Sequence, residues 1–253
     1  MVEILSLLLV GVIAGTLAGL LGVGGGIIIV PSLVWIFHNQ LPALMHIAIG
    51  TSLATIVITS ISSIIAHHRA VLWSIVWQLS PGIIVGAFVG AIIANALPTE
   101  ILRKFFAIFI LLVSAQLALL PPPASHRQLP GKLGLSITGT VIGKMSALVG
   151  IGGGSLTVPF LVWCNIPIRN AVATSAACGF PIAVSGMIGF IVTGWHISGP
   201  WMSGYIYWPA FIAITPATLL FAPLGAKLAH TLPANSLKKL FAVFLAGVGV
   251  NMF

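Results

Sequence analysis

Three consecutive glycines interrupt an apolar run twice in this chain, and both interruptions lie inside the same phrase. Leu20-Leu21-Gly22-Val23-Gly24-Gly25-Gly26-Ile27-Ile28-Ile29-Val30-Pro31 returns as Leu148-Val149-Gly150-Ile151-Gly152-Gly153-Gly154-Ser155-Leu156-Thr157-Val158-Pro159. A glycine inside a helix costs about 1 kcal/mol relative to alanine. In lipid, the backbone groups freed by a break must find new partners or cost several kcal/mol more. A break kept at matching places in two halves of a chain points to a binding site of the kind transporters build from discontinuous helices.

Composition says that the surroundings are lipid. Of 253 residues, 59% are hydrophobic and only 5% charged, where soluble domains carry about 25% charged residues. So few charges cannot cover a soluble fold of this size. Apolar stretches near the ~20 residues needed to cross a bilayer recur along the chain. The alternating pattern of a membrane β-barrel is missing. The fold class is therefore an all-α polytopic membrane protein, with about eight to ten transmembrane helices in two internal repeats broken at the Gly-Gly-Gly motifs.

The net charge of +8 does not indicate nucleic acid, because the ten Lys and Arg are scattered between apolar segments, as orientation signals are. Glu3 and Glu100 are the only acidic side chains, and there is no Asp. A pathway without carboxylates suits anions better than cations. Cys164 and Cys178 form no CxxC or metal-ligand spacing. They read as small apolar packing residues, and no metal or other cofactor is expected. The first 21 residues lack a basic start and a small-residue cleavage site, so they read as a retained membrane helix.

Along the first half, the apolar segments cover 4–21, 27–37, 43–66, 71–97 and 101–120; 27–37 is too short to span alone. The segment 71–97 is expected to be interrupted at Pro81-Gly82. Three prolines at Pro121-Pro122-Pro123 stop a helix, and they open a linker over 121–132 between repeats 1–120 and 133–253. The second half follows with 133–149, the short 155–164, then 169–194, 200–229 and 236–253. Trp201, Tyr205, Tyr207 and Trp208 at the start of 200–229 suit an interfacial belt.

Other features recur in the same order. Thr51-Ser52 matches Thr174-Ser175, Pro81…Gly90 matches Pro216…Gly225, and Leu97-Pro98 with Arg103-Lys104-Phe105-Phe106-Ala107 matches Leu232-Pro233 with Lys238-Lys239-Leu240-Phe241-Ala242. If the short glycine-linked segments span, the two copies are inverted. If they re-enter, the copies are parallel. The matching Arg103-Lys104 and Lys238-Lys239 favour parallel copies, whereas broken helices more often accompany inversion.

The glycine phrase, its second copy and the Thr-Ser pairs resemble the TauE/SafE (sulfite exporter, TSUP) family, over essentially the whole length. The resemblance implies a multi-pass protein of a cell membrane, in bacteria the inner membrane. It further implies a secondary transporter, most simply an exporter, of sulfite, an organosulfonate or a related sulfur anion.

Candidate site residues follow from the breaks. Gly24, Gly25, Gly26, Gly152, Gly153 and Gly154 can expose backbone N–H groups, and the helices after them present N-termini, which favour anions. Close helix packing through small residues is the plainer alternative. Thr51, Ser52, Thr174 and Ser175 offer hydroxyls in long apolar spans, unless they bond back to their own helices. Ser155 adds a hydroxyl at one break only. Lys144 stands about 18 Å into its segment. At that depth an ammonium needs an aqueous or protein-lined setting, and it reads as a counter-ion for an anion or as a snorkelling interface residue. Arg169 and His46 read as interface anchors or an anion entrance. Proton coupling would fall to His46, His67, His68 or His196, or to the substrate.

Enzymatic function is disfavoured. No strand precedes the glycines, no acid follows them at dinucleotide spacing, and there is no acid–base pair. A passive anion channel and a membrane assembly protein without flux are the competing functions. The partners expected are a small anion and the bilayer, with no nucleic acid.

Overall fold

The computed structural model describes residues 2–21, 24–38, 41, 43–119, 128–197, 199–228 and 234–253. Among these the chain is almost wholly helical, as it must be where lipid offers no hydrogen bonds to the backbone. The first half gives α1 (Val2–Leu21), α2 (Gly26–Ile36), α3 (Leu44–His67), α4 (Trp73–Ala96) and α5 (Thr99–Leu119), with a 3₁₀ turn at His68–Ala70. The second half gives α6 (Lys132–Val149), α7 (Gly154–Trp163), α8 (Ile168–Thr193), α9 (Trp208–Leu228) and α10 (Ala234–Asn251). The stretches Leu44–Ala70, Trp73–Ala96, Ile168–Thr193 and Trp208–Gly225 are long and apolar enough to cross a membrane. The helices α2 and α7 have 11 and 10 residues, so they reach about 15 Å, half of a ~30 Å hydrocarbon core.

Two expectations are corrected. The helix α4 runs unbroken through Pro81. Its lost N–H removes one bond from a ladder of more than twenty residues, a loss that membrane helices tolerate. Residues 200–207 do not begin a span. Met202–Ser203 and Ile206–Tyr207 form β1 and β2 of a small antiparallel hairpin, turned by Gly204 at φ +58°. Tyr205 at its tip is buried at 6% exposure, not interfacial. By contrast Trp35, Trp77, Trp195 and Trp201 are exposed, as an interfacial belt requires. Pro121–Arg127 of the expected linker, and Gly22 and Val23 of the first glycine phrase, lie outside the described residues.

The two halves interlock. The helix α4 packs along α6, and α1 packs along α9. Both seams rest on glycine. A Cβ on Gly86 of α4 would run into the Thr140 carbonyl of α6, and one on Gly15 of α1 would lie 2.7 Å from the Thr218 carbonyl of α9. Backbone contacts this close are how membrane helices associate without a hydrophobic force between them. Along each seam both residue numbers rise together: Gly82, Gly86 and Gly90 meet Ser136, Thr140 and Lys144, while Gly11 and Gly15 meet Ile214 and Thr218. These pairs therefore run parallel. The helices α3 and α8 cross at the centre with opposite sense, since Gly50 lies against Phe190, Leu53 against Gly186, and Ser60 near Gly179. The helices α5 and α10 are also antiparallel, with Ser114 Oγ donating to the Ala242 carbonyl at 2.7 Å and Ala107 approaching Gly249.

Candidate functional site

The two glycine breaks meet. A Cβ on Gly24 would sit 3.3 Å from both the Cα and the N of Gly152, and one on Gly26 would strike the Gly150 carbonyl. Gly24, Gly150 and Gly153 take φ values of +76°, +72° and +81°, a left-handed turn that costs an L-residue about 1–2 kcal/mol. The glycines therefore serve both the turn and the approach. Two central helices clamp the junction. Ser52 of α3 donates its hydroxyl to the Gly150 carbonyl at 2.9 Å. On α8, a Cβ at Gly179 would lie 2.8 Å from the Gly152 carbonyl.

Neither short helix has a side-chain cap at its N-terminus. The backbone bonds there begin with Ile28 and Ile29 donating to Gly25, and with Leu156 and Thr157 donating to Gly153. The first N–H groups of each helix thus point out of it unclaimed by a side chain, with the positive end of the helix dipole behind them.

From Gly24 and Gly152, a narrow cleft with a cavity volume of about 30 Å³ follows α3 toward His67. Thr59, Ser60, Ser62 and Ser63 line it together with the small residues Ala18 and Gly179. No acidic residue lines it. The other end of α3 is packed with rings. His46 Nε2 bonds the Ala94 carbonyl at 2.9 Å, and its ring stacks on Tyr205 at 5.0 Å. Tyr205 also meets Phe190 edge-on at 6.0 Å and donates its hydroxyl to Asn95 Oδ1 at 2.7 Å. Burial pushes the Tyr205 phenol up from its ordinary pKa, so it remains a neutral donor at physiological pH.

The sequence-derived residues divide. Gly24 to Gly26, Gly152 to Gly154 and Ser52 come together at the junction. Ser155 and Ser175 are buried there or beside it, and their hydroxyls have no partner. Thr51 and Thr174 are engaged elsewhere. Thr51 Oγ1 accepts the N–H of Tyr207 at 3.0 Å, and Thr174 Oγ1 accepts the N–H of Leu72 at 3.0 Å. Each threonine thus pins the residue just ahead of a long helix in the opposite half. Thr174→Val is expected to leave the Leu72 N–H without its acceptor and lower stability by about 1–2 kcal/mol. Thermal unfolding in detergent measures this, and an unchanged midpoint would remove the pin from the account. Lys144 is half-buried, its backbone lies against Gly90 of α4, and it does not line the cleft. Arg169 is exposed in the first turn of α8.

The cleft hydroxyls were missed, although Thr59-Ser60-Ile61-Ser62-Ser63 is a dense polar run within an apolar helix. Ser146 and Thr157 were missed as well. Nothing in the sequence sets them apart from serines and threonines that bond back to their own helix.

The model of the sulfite exporter TauE/SafE family matches residues 7–252. The chain belongs to the TauE/SafE family. A "Probable membrane transporter protein" of Haemophilus influenzae is 42% identical over 99% of this chain and 98% of its own length. Similar proteins with the same kind of name occur in Methanocaldococcus jannaschii, at 29% identity over 97% of this chain and 94% of the relative, and in Bacillus subtilis (YunE), at 28% over 97% and 96%. No solved structure matches the chain. This TauE/SafE protein is therefore a multi-pass membrane protein of a transporter family and not an enzyme.

Proposed function

We propose that this TauE/SafE protein is a secondary carrier of sulfite, an organosulfonate or a related small sulfur anion, and that it works by alternating access around the paired breaks. One observation carries the reading. Two uncapped half-length helices begin at glycine breaks that touch, at the closed end of a cleft open to one side. Helix N-termini hold oxyanions through backbone N–H groups without a cationic side chain. The lining hydroxyls and the missing carboxylates agree with an anion as cargo. Ser52 braces the junction, Ser155 and Ser175 have hydroxyls to offer, and Thr51 and Thr174 serve as fasteners. Lys144 acts at most as a distant positive charge. His67 is the one titratable side chain lining the cleft among the described residues. Any proton coupling therefore falls to it or travels on the anion.

In this reading residues 1–120 and 133–253 are two copies of one unit, turned over relative to each other. The helices α3 and α8 hold corresponding places and are antiparallel. Copies related by an axis along the helices would make them parallel. Inverted copies supply two matching routes, one along each central helix. The route along α3 is open, and its counterpart along α8 is filled by Phe190 and Tyr205. A molecule packed with rings at one end favours a carrier over an open channel.

The test is counterflow in proteoliposomes. Internal unlabelled sulfite is expected to accelerate uptake of labelled sulfite several-fold. Uptake indifferent to internal anion would indicate a channel, and no uptake of sulfite or methanesulfonate would sink the proposal.

A further inference from the structure

We propose that the two breaks are not an equal pair, and that the anion's oxygens are held at the second one by the hydroxyls of Ser146, Ser155 and Thr157 at the N-terminus of α7. This rests on the transport reading of the breaks and deepens it. The three residues are 1%, 8% and 0% exposed, and none of their hydroxyls has a hydrogen-bond partner. Buried hydroxyls are almost always satisfied, and an exception asks for a partner such as a bound water or ion. Two of them converge on one point. A Cβ placed on Gly153 would lie 3.4 Å from Thr157 Oγ1 and 3.8 Å from Ser146 Oγ, and against the flexible end of the Ile182 side chain, which an anion would have to turn aside. Thr157 would ordinarily bond back to its own helix, one turn away at Gly153. That carbonyl already accepts the backbone N–H groups of Leu156 and Thr157 at 3.1 and 2.8 Å, and the hydroxyl stays unused.

The first break carries the same glycines and none of this chemistry, and Gly25 before α2 is right-handed where Gly153 before α7 is left-handed. The glycine phrases align Ser155 with Ile27, Thr157 with Ile29 and, one turn earlier, Ser146 with Ala18. All three counterparts are buried. Three hydroxyls thus stand at one break and three apolar side chains at the other. A small oxyanion with several acceptor oxygens fits the α7 end, its charge met by the hydroxyls and by the free N–H groups of the first turn.

The experiment compares the wild type, the triple variant Ser146→Ala/Ser155→Ala/Thr157→Val and the mirror variant Ile29→Val. Each is purified in detergent and titrated with sulfite and with methanesulfonate by calorimetry, alongside melting with and without the anion. The triple variant is expected to bind at least tenfold more weakly, while Ile29→Val stays within twofold. Without anion, the triple variant should melt no lower than the wild type, since it loses only unpaired hydroxyls. A drop in that melting point would mean the hydroxyls are structural and would overturn the proposal. Equal affinity in the wild type and the triple variant would overturn the subsite and leave the carrier intact. Binding of neither anion to the wild type would overturn the subsite. Binding with the expected losses, but without flux in liposomes, would support the subsite and sink the carrier.

Discussion

Gly153→Ala is expected to cut anion flux by about 5- to 30-fold in protein that still inserts and folds. At φ +81° an alanine costs about 1–2 kcal/mol, and its Cβ would also push into the Ile182 side chain. The flexible end of Ile182 can yield, so the cost falls on the turn. The cheapest relief is for residue 153 to leave the left-handed region. That swings the N–H groups of Gly154 and Ser155 away from the junction and closes the approach between the breaks. A loss of about 1–2 kcal/mol in a state needed for transport gives the stated range. Counterflow corrected for the amount of inserted protein measures it. Flux within threefold of wild type would mean that the left-handed turn is packing geometry and no more.

Gly86→Val is expected to be the more damaging change to the fold. Its Cβ meets the Thr140 carbonyl, a backbone atom that cannot rotate aside. The seam between α4 and α6 must then open along its length, since Gly82 and Gly90 lie on the same face. Overpacking a tight interior costs about 1–3 kcal/mol, and here a whole helix pair is displaced, so a loss of about 3 kcal/mol is expected. Gly247→Ala is the comparison. It lies in α10 with nothing within 4 Å of the added Cβ, so it should be neutral or slightly stabilising. Thermal unfolding of both variants in one detergent makes the test. Equal midpoints would refute a glycine-dependent seam.

The helical plan was legible because glycine and proline punctuate it. The short segments 27–37 and 155–164 fall within one residue of α2 and α7. Depth along a helix was legible too, and direction around it was not. Lys144 stands well inside α6, but the rise per residue does not say that its backbone faces Gly90. The repetition of Thr51 and Thr174 could be read, but their partners could not. Backbone N–H groups at Leu72 and Tyr207 leave no mark in a sequence. Tyr205 misled because an aromatic residue ahead of a membrane helix usually sits at the interface. A tight turn at Gly204 folds it inward instead. Helix direction became readable only from which residue met which across α3 and α8.

Thr51 and Thr174 hold Tyr207 and Leu72 in the same manner, so the residues two places earlier, Tyr205 and Ala70, also correspond. One is a ring wedged between His46 and Phe190. The other is a methyl group on a short turn. The molecule has the same latch at both ends and stoppers of unequal size. For a carrier made of matching halves, the two end states would otherwise have equal energy. An aromatic side chain buried at one end and not the other tilts that balance by roughly 1.5–3 kcal/mol. In a carrier of that kind the resting state would keep its mouth on the His67 side, and a single position, more than the fold, would set which side it waits on.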